Sequence, residues 1–319
     1  MNFLNLRYFL VTAEEMSVTK AAGRLYISQQ ALSAHISNLE KEFGVPLFTR
    51  SPAFSLTYAG KCLVSAGKEI MDVRRRLDGQ MDEILGELRG ELRVGISYTR
   101  GQALLPYVLP KFIEKYPRME ITLKEGSSEV LDELLQHGDI DLLLSTDTIL
   151  PDIADTIALA RERIFLIVPE RIMRDLFGEA AAAKSAAFRK GVRLSEFKAC
   201  PFIMLKRGDR VRTALDEALY RDGIAPNILL ETDNVQTAFA LSGMGMGVTA
   251  YPEMFLNSAF TLFPSRLSSN VERFPIEGLK EETLYVGSRR FTHLTPAAAA
   301  FILEMQTLLS SGAIGTTEG

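Results

Sequence analysis

The feature that most constrains this 319-residue chain is an apolar repeat that runs from residue 57 to residue 89. Its apolar side chains recur at steps of three or four residues, as on one face of a helix: Leu63, Ala66, Ile70, Val73, Leu77, Met81, Ile84 and Leu88. A helix rises ~1.5 Å per residue, so this segment predicts a single helix roughly 48 Å long. Thr57 is a candidate cap at its start, and Gly90 marks its exit.

So long an apolar seam needs a partner, and two partners are possible. The helix can pack on its own domain, or it can pair with a second copy of itself through the heptad-like repeat. The segment before it has about 60 residues, which is too small a unit to cover the whole seam. We therefore expect a dimer, with these residues in the contact: Leu63, Ile70, Val73, Leu77, Met81 and Ile84.

The segment that precedes this helix predicts three short helices. Ser17 and Ser28 are candidate N-caps of the second and third helices, and Gly44 is placed to end the third. One face of the third helix is apolar, with Leu32, Ile36, Leu39 and Phe43 at spacings of four, three and four. The opposite face carries short polar groups and amides: Gln29, Gln30, Ser33, Ala34, Ser37, Asn38 and Lys41. Such a face suits contact with base edges, although an ordinary neutral surface explains it equally well.

Charge and composition exclude several classes of protein. Hydrophobic residues make up 47% and charged residues 24%, which is typical of a globular chain. Residues 1–60 hold five basic and four acidic side chains, so a strongly basic nucleic-acid footprint is absent. The chain shows no apolar run long enough to span a membrane and no signal-peptide pattern. Two cysteines, Cys62 and Cys200, and three histidines argue against a disulfide framework and a metal cluster, so we expect a cytoplasmic protein.

From Leu92 onward the pattern alternates between strands and helices. Residues 92–96 and 142–145 suit strands, residues 104–116 suit a helix, and the alternation continues to a final helix at 296–309. The Ala-rich segment 171–190 predicts further helix, whose role as a surface element, an oligomer contact or a neighbour of the cleft stays open. Alternating strands and helices favour parallel α/β sheets, and two such lobes would present strand ends and helix N-termini to a cleft.

Over residues 6–60 the chain carries an ordered series of matching positions: Leu6-Arg7-Tyr8-Phe9, Ser17, Ala21-Ala22, Leu25, Ser28-Gln29-Gln30-Ala31-Leu32-Ser33, Ile36, Leu39-Glu40, Phe43-Gly44, Leu47-Phe48-Thr49-Arg50 and Leu56-Thr57-Tyr58-Ala59-Gly60. In these positions the sequence resembles the LysR-type transcriptional regulators. Further along, the matching positions are Leu104-Leu105-Pro106, Phe112, Tyr116-Pro117 and the stretch 243–247.

The resemblance implies a multi-domain α + α/β architecture. It places a winged helix-turn-helix at 1–60, a dimerising linker helix at 61–90 and a two-lobed α/β effector-binding domain at 91–319. That last domain would be similar to type 2 periplasmic binding proteins. Its lobe I would comprise residues from about 91–161 and 267–319, and its lobe II residues from about 162–266.

The resemblance also implies partners and DNA contacts. The partners would be double-stranded DNA with an inverted-repeat operator, a small-molecule effector, a second copy in a homodimer or homotetramer, and RNA polymerase, with no cofactor, metal or membrane. The DNA contacts would be Thr19, Lys20, Ser28, Gln29, Gln30, Ser33, Ala34, Ser37 and Arg50. Gln30 stands where the family usually has proline, and Ala34 where a large polar or basic residue is common. No nucleophile, metal or cofactor motif supports an enzyme.

The effector site implied by the resemblance lies between the lobes. Its expected residues are Ser97, Thr99, Arg100, Ser127, Ser128, Thr146, Ile203, Lys206, Thr232 and Asn234. Hydroxyl groups and free N–H groups at helix N-termini bind anions, and Arg100 is a candidate bidentate partner for a carboxylate. We therefore expect a small organic or inorganic anion. For each single hydroxyl, helix capping or turn formation is an equally good explanation.

Overall fold

The computed structural model describes residues 2–49, 51, 53–84, 88–146, 152–256, 270–290 and 294–311. The N-terminal unit contains three helices, α1 (Phe3–Glu15), α2 (Val18–Leu25) and α3 (Gln29–Phe43), and the two-stranded antiparallel sheet of β1 (Phe48–Thr49) and β2 (Ser55–Leu56). Its core is built from the apolar faces of α1 and α3, with Leu47 from the segment before β1: Leu6, Phe9, Leu32, Ile36, Leu39 and Leu47.

The helix boundaries in this unit follow from their caps. Ser17 Oγ accepts the Lys20 N–H at 3.3 Å, and Ser28 Oγ accepts the Ala31 N–H at 3.1 Å. Gly44 ends α3 in the left-handed conformation, with φ at 70°. Glu40 then accepts the Leu47 N–H at 2.8 Å, which ties α3 to the wing.

The long helix α4 spans Tyr58–Ile84, which is shorter than the predicted 57–89. Thr57 Oγ1 accepts the Gly60 N–H at 3.0 Å, so Thr57 is the cap that the sequence indicated. The predicted end at residue 89 is wrong, because Arg89–Ile96 form strand β3, whose backbone groups find partners in a sheet; residues 85–87 lie outside the described residues. Leu88, expected on the helix seam, packs instead against the core of the C-terminal domain.

Lobe I begins with β3 and continues through α5 (Tyr98–Lys115), β4 (Arg118–Glu125), α6 (Ser128–Gln136), β5 (Leu142–Ser145) and β6 (Ala154–Glu162). Strand β3 pairs in parallel with both β4 and β5, as the alternation of strands and helices predicts. The chain then crosses into lobe II after Glu162.

Among the described residues, lobe II comprises 164–256 and 270–276. Its elements are β7 (Ile164–Pro169), α7 (Glu170–Phe177), α8 (Ala181–Phe188), β8 (Pro201–Leu205), α9 (Arg210–Arg221), β9 (Asn227–Thr232), α10 (Val235–Gly243), β10 (Thr249–Pro252) and β11 (Val271–Pro275). Strand β7 pairs antiparallel with β10 and β11, and β8 pairs in parallel with β9. The Ala-rich segment forms α7 and α8, and Phe188 packs into the lobe II core.

The chain returns to lobe I through β12 (Glu282–Arg289) and ends in α11 (Pro296–Ser310). Strand β12 lies between β5 and β6 and completes the five-stranded order β4-β3-β5-β12-β6. Since β11 pairs with β7, the return crossover falls between residues 276 and 282. This corrects the boundary of about 267 expected from the sequence, which assigned β11 to lobe I. No helix in the described ranges is both long enough and apolar enough to cross a bilayer.

Candidate functional site

The exposed face of α3 is the candidate nucleic-acid surface. Its apolar residues Leu32, Ile36 and Leu39 are buried in the core of the N-terminal unit. On the other side Ser28, Gln29, Gln30 and Ala34 are exposed, while Ser33 and Ser37 are half-buried. The hydroxyl of Ser28 caps the helix by accepting the Ala31 N–H, which leaves its O–H donor and one lone pair for a partner. Side-chain amides and small residues therefore form one continuous surface.

Two further predicted contacts lie beside this surface. Thr19 and Lys20 are exposed in the first turn of α2. Arg50, expected in the wing, lies outside the described residues. His35, although it is on α3, faces inward: its Nδ1 lies 2.7 Å from Asn5 Oδ1, and its ring contacts Tyr8 edge-on at 4.8 Å.

Tyr26 lies in the turn that leads into α3, and the sequence patterns did not single it out as a candidate contact. It is the C-cap residue of α2, two positions before the cap of α3, it has φ at 56°, and its side chain is 95% exposed. The left-handed backbone region favours glycine or asparagine. An exposed aromatic ring also lacks the favourable free energy that burial of its apolar surface would give. An aromatic residue in the turn between two helices was the sequence signal that could have identified Tyr26 as a candidate contact.

The polar residues of lobe I surround a small cavity of about 50 Å³, whose polar lining is Ser97, Arg100, Ser128, Ser145 and Thr146. Ser97 and Ser127 occupy the N-cap positions of α5 and α6, and Ser97 and Ser128 line the cavity, so both helix N-termini lie beside it. Thr99 is half-buried in the first turn of α5, and Ser127 is exposed. The cavity has room for a few waters or a small ion.

Arg100, expected as a bidentate partner for an effector carboxylate, is already paired with a carboxylate of its own chain. Its side chain is 7% exposed and its Nη2 donates to Glu162 Oε1 at 3.1 Å, where Glu162 is 3% exposed. The same Nη2 lies 3.2 Å from Thr146 Oγ1, and the guanidinium stacks over Phe255 at 5.3 Å. A buried cation needs a counter-charge, and here the chain itself supplies it at the crossover between the lobes.

The predicted lobe II residues do not line this cavity. Ile203 is buried within β8, and Lys206 is exposed with its Nζ 2.6 Å from Asp233. Asn234 caps α10 by accepting the N–H groups of Gln236 and Thr237, and Thr232 accepts the N–H of Asn234. Hydrogen bonds to backbone N–H groups at the start of α10 therefore explain these two polar residues without an effector.

Among the contacts that cross between the lobes are two hydrogen bonds donated by lobe II. Gln236 Nε2 in α10 donates to Gln102 Oε1 in α5 at 2.6 Å. Arg210, at the start of α9, donates to the carbonyl oxygen of Thr146. The cleft is therefore closed at these points.

The seam of α4 divides into two parts. Leu63 is buried in the core of its own N-terminal unit and Ile70 packs against that core, so Leu63 is not free to join a dimer contact, contrary to expectation. Val73, Leu77 and Met81 are each about half-exposed, and Ile84 is 76% exposed. The apolar surface left for a partner therefore lies on the C-terminal half of the helix.

Within the described ranges, no group of three or more histidine, cysteine, aspartate or glutamate side chains is arranged to hold a metal ion. Cys62 is exposed, whereas Cys200 is buried and burial raises the pKa of its thiol to about 11. A winged helix-turn-helix, a long helix with an apolar strip and a two-lobed α/β domain together define a DNA-binding transcription regulator with a domain for a small ligand.

Comparison with known proteins gives the family. Residues 3–61 match the bacterial regulatory helix-turn-helix protein, lysR family, and residues 85–310 match the LysR substrate binding domain. The chain therefore belongs to the LysR family of transcriptional regulators, which are DNA-binding regulators and not enzymes. An uncharacterized HTH-type transcriptional regulator, YybE, of Bacillus subtilis (strain 168) is 31% identical over 255 residues, which are 80% of this chain and 83% of that relative.

Two solved structures share the fold. A full-length OxyR variant from Pseudomonas aeruginosa superimposes with a TM-score of 0.65 at 22% identity, over 96% of this chain and 98% of that chain. Full-length CbnR complexed with its target DNA superimposes with a TM-score of 0.56 at 24% identity, over 96% of this chain and 99% of that chain.

Proposed function

We propose that this regulator acts as a homodimer, or a pair of homodimers, that reads an inverted-repeat operator through the exposed face of α3. The observation that carries this proposal is the separation of the faces of α3, with Gln29, Gln30 and Ala34 in solvent and the apolar residues in the core. Glutamine can bond adenine in two places and serine adapts to any base. CbnR, a protein of the same fold, was solved with its target DNA.

The small positive charge of the N-terminal unit is a reason to expect binding by two units. One N-terminal unit has a net charge of +1, so a monomer has little of the electrostatic attraction that drives non-specific binding. Two units joined through the exposed strip of α4 would bind neighbouring half-sites with higher affinity than one unit, because binding of the first raises the effective concentration of the second. RNA polymerase is the further partner we expect at a promoter, and the cytoplasm is the compartment where such a regulator works.

The second part of the proposal is a small anionic effector at the cavity in lobe I. The N-termini of α5 and α6 meet there, and the hydroxyl groups of Ser97, Ser128 and Thr146 offer donors. Helix N-termini favour negative charge. Because Arg100 is already paired with Glu162, an effector carboxylate would compete with that partner or bind the hydroxyl groups beside it.

Selection of random duplex DNA by the purified full chain, at two salt concentrations, tests the first part. Enrichment of an inverted repeat with half-sites about one helical turn apart is the expected result. Gln29→Glu should abolish enrichment, since a carboxylate would face phosphates and acceptor-rich base edges. Gln136→Glu, the same change at an exposed site on lobe I, is the matched control and should select the same sequence. Unchanged selection by Gln29→Glu would show that α3 is not the reader.

A further inference from the structure

The face of α4 that lies against lobe I is charged instead of apolar. Three side chains of α4 and four of lobe I form a set of ion pairs, which we name the linker clamp: five of them are joined in one network, and Lys68 and Asp139 form a separate pair. Its members are Lys68, Asp72 and Arg75 on α4, and Arg93, Asp139, Asp141 and Arg289 on lobe I.

Asp72 is the centre of the clamp on the helix side. It is 8% exposed, and its Oδ2 accepts from Arg289 Nη2 at 2.7 Å. Its Oδ1 accepts from Arg75 and lies 3.8 Å from Arg93 Nη2. Gly138 makes this approach possible, because a Cβ there would lie 2.7 Å from Asp72 Oδ2 and 2.8 Å from Arg289 Nη1.

Arg93 is the centre on the lobe I side. Its Nη2 donates to Asp141 Oδ1 at 2.6 Å and its backbone N–H donates to Asp141 Oδ2 at 2.9 Å. Burial by itself lowers the pKa of Arg93, but its hydrogen bonds to Asp141 and the nearby carboxylates outweigh that effect and raise the pKa. Arg75 adds a 3.4 Å contact to Asp141, so both centres share one cation from the helix.

The geometry fixes the direction of the helix on the lobe. Asp82 pairs with Arg89 at 2.8 Å, while Asp72 lies beside Arg93, so α4 and β3 run antiparallel. The ten residues from Asp72 to Asp82 cover ~15 Å along the helix, and the four from Arg89 to Arg93 cover ~13 Å along the strand. The two lengths are similar, so both contacts can form at once. Lys68 Nζ extends the clamp to Asp139 at 2.7 Å.

The clamp is connected to the cavity through two short elements. Helix α6 begins at Ser128, which lines the cavity, and is followed by Asp139. Strand β5 begins directly after Asp141 and leads to Ser145 and Thr146, which also line the cavity. The two elements pack on each other through Leu131, Leu135, Ile140 and Leu143. A shift at the cavity end of either element therefore moves a carboxylate of the clamp.

We propose that the linker clamp sets the angle of α4 on lobe I and couples the cavity to the DNA-binding unit. Directional ion pairs suit this task, because buried charges specify geometry while adding less stability than an apolar contact of the same size. The coupling rests on the proposed function above, in which α3 binds DNA and the cavity binds the effector. Coupling is reciprocal, so DNA binding must also alter the cavity elements, and the test needs no known effector.

The test compares Asp72→Asn with Asp78→Asn in the full chain. Asp78 is on the same helix but its carboxylate pairs with Arg74 in that helix, so it is the matched control. Hydrogen exchange is followed by mass spectrometry with and without a duplex carrying the selected operator. In the wild type and in Asp78→Asn, operator DNA should change the exchange of residues 128–146. In Asp72→Asn that change should be lost while operator binding by α3 persists.

Two further results keep the proposal open to refutation. Without DNA, Asp72→Asn should speed exchange over residues 137–141 relative to Asp78→Asn. Asp139→Lys should lose the coupling, and the swap Lys68→Asp with Asp139→Lys should regain it. An operator-induced change in Asp72→Asn equal to that of the wild type overturns the proposal, as does no change at 128–146 in a wild-type chain that binds the operator. Failure to select any duplex overturns the proposed function instead, while the DNA-free comparison still tests whether the clamp holds the linker.

Discussion

Replacing Glu162 with glutamine removes the counter-charge of a buried guanidinium without changing shape. Arg100 and Glu162 are 7% and 3% exposed, and their closest contact is 3.1 Å. Removing one partner of a buried pair costs roughly 3–5 kcal/mol, because the other charge stays buried without compensation. The amide oxygen of glutamine still accepts one hydrogen bond, so the lower end, about 3 kcal/mol, is the expected loss.

The assay is thermal unfolding in a low-salt buffer. For a domain of this size about 1 kcal/mol moves Tm by ~2–4 °C, so Glu162→Gln should lower Tm of the effector domain by roughly 6–12 °C. Glu253→Gln is the control, since Glu253 pairs with the half-exposed Arg163 at 2.7 Å and surface pairs contribute ~0–1 kcal/mol. Its Tm should fall by less than about 4 °C.

The same variant tests the anion site. Arg100 lines the cavity of about 50 Å³, so a small carboxylate such as formate can replace the missing charge. A ligand at a hundred times its Kd stabilises by about 2.7 kcal/mol. Sodium formate should therefore raise Tm of Glu162→Gln more than sodium chloride of equal ionic strength does, and more than it raises Tm of the wild type. Equal losses in Glu162→Gln and Glu253→Gln, or an equal formate effect in variant and wild type, would refute this reasoning.

Four other predictions follow from single contacts. Leu77→Lys should yield monomers in sedimentation, because it places a charge in the exposed strip of α4; a surviving dimer means that the partner surface lies elsewhere. Tyr26→Asn should keep Tm, since asparagine suits a left-handed turn, yet weaken operator binding by ~5–30-fold if the ring touches DNA. Native labelling by iodoacetamide at pH 8 should modify Cys62 alone, as a thiol of pKa about 11 is ~0.1% thiolate there and Cys200 is buried; two modified cysteines would contradict the burial. Gly138→Ala should lower Tm and, like Asp72→Asn, remove the coupling seen by hydrogen exchange.

Local patterns predicted the N-terminal unit well because its determinants are local. The caps at Ser17, Ser28 and Thr57 need only a hydroxyl three residues before an N–H, and each is found where the sequence indicated. The two faces of α3 follow from a period of 3.6 residues. Tyr26 escaped this reasoning because its importance depends on exposure and on its φ angle, neither of which periodicity reports.

Residues whose environment depends on distant parts of the chain were harder to predict. Arg100 follows a strand and begins a helix like an anion ligand, but its counter-charge Glu162 lies 62 residues away. Leu63 has the same spacing as Leu77, yet it is buried because the N-terminal unit folds back over the first turns of α4. The end of α4 was misplaced because sheet pairing at Arg89 competes with helix propensity, and only the tertiary fold decides that competition.

The position of β12 in the sheet has a consequence for how the chain emerges from the ribosome. This strand lies between β5 and β6, but it is made about 120 residues after β6 ends, once all of lobe II has been synthesised. At a synthesis rate of about 5–20 residues per second, that delay lasts roughly 6–24 s. During it β5 presents an open edge, and β6 lacks its neighbour. Lobe II can thus complete its sheet before lobe I does, and a nascent chain that stalls in this interval exposes an unpaired strand to its neighbours.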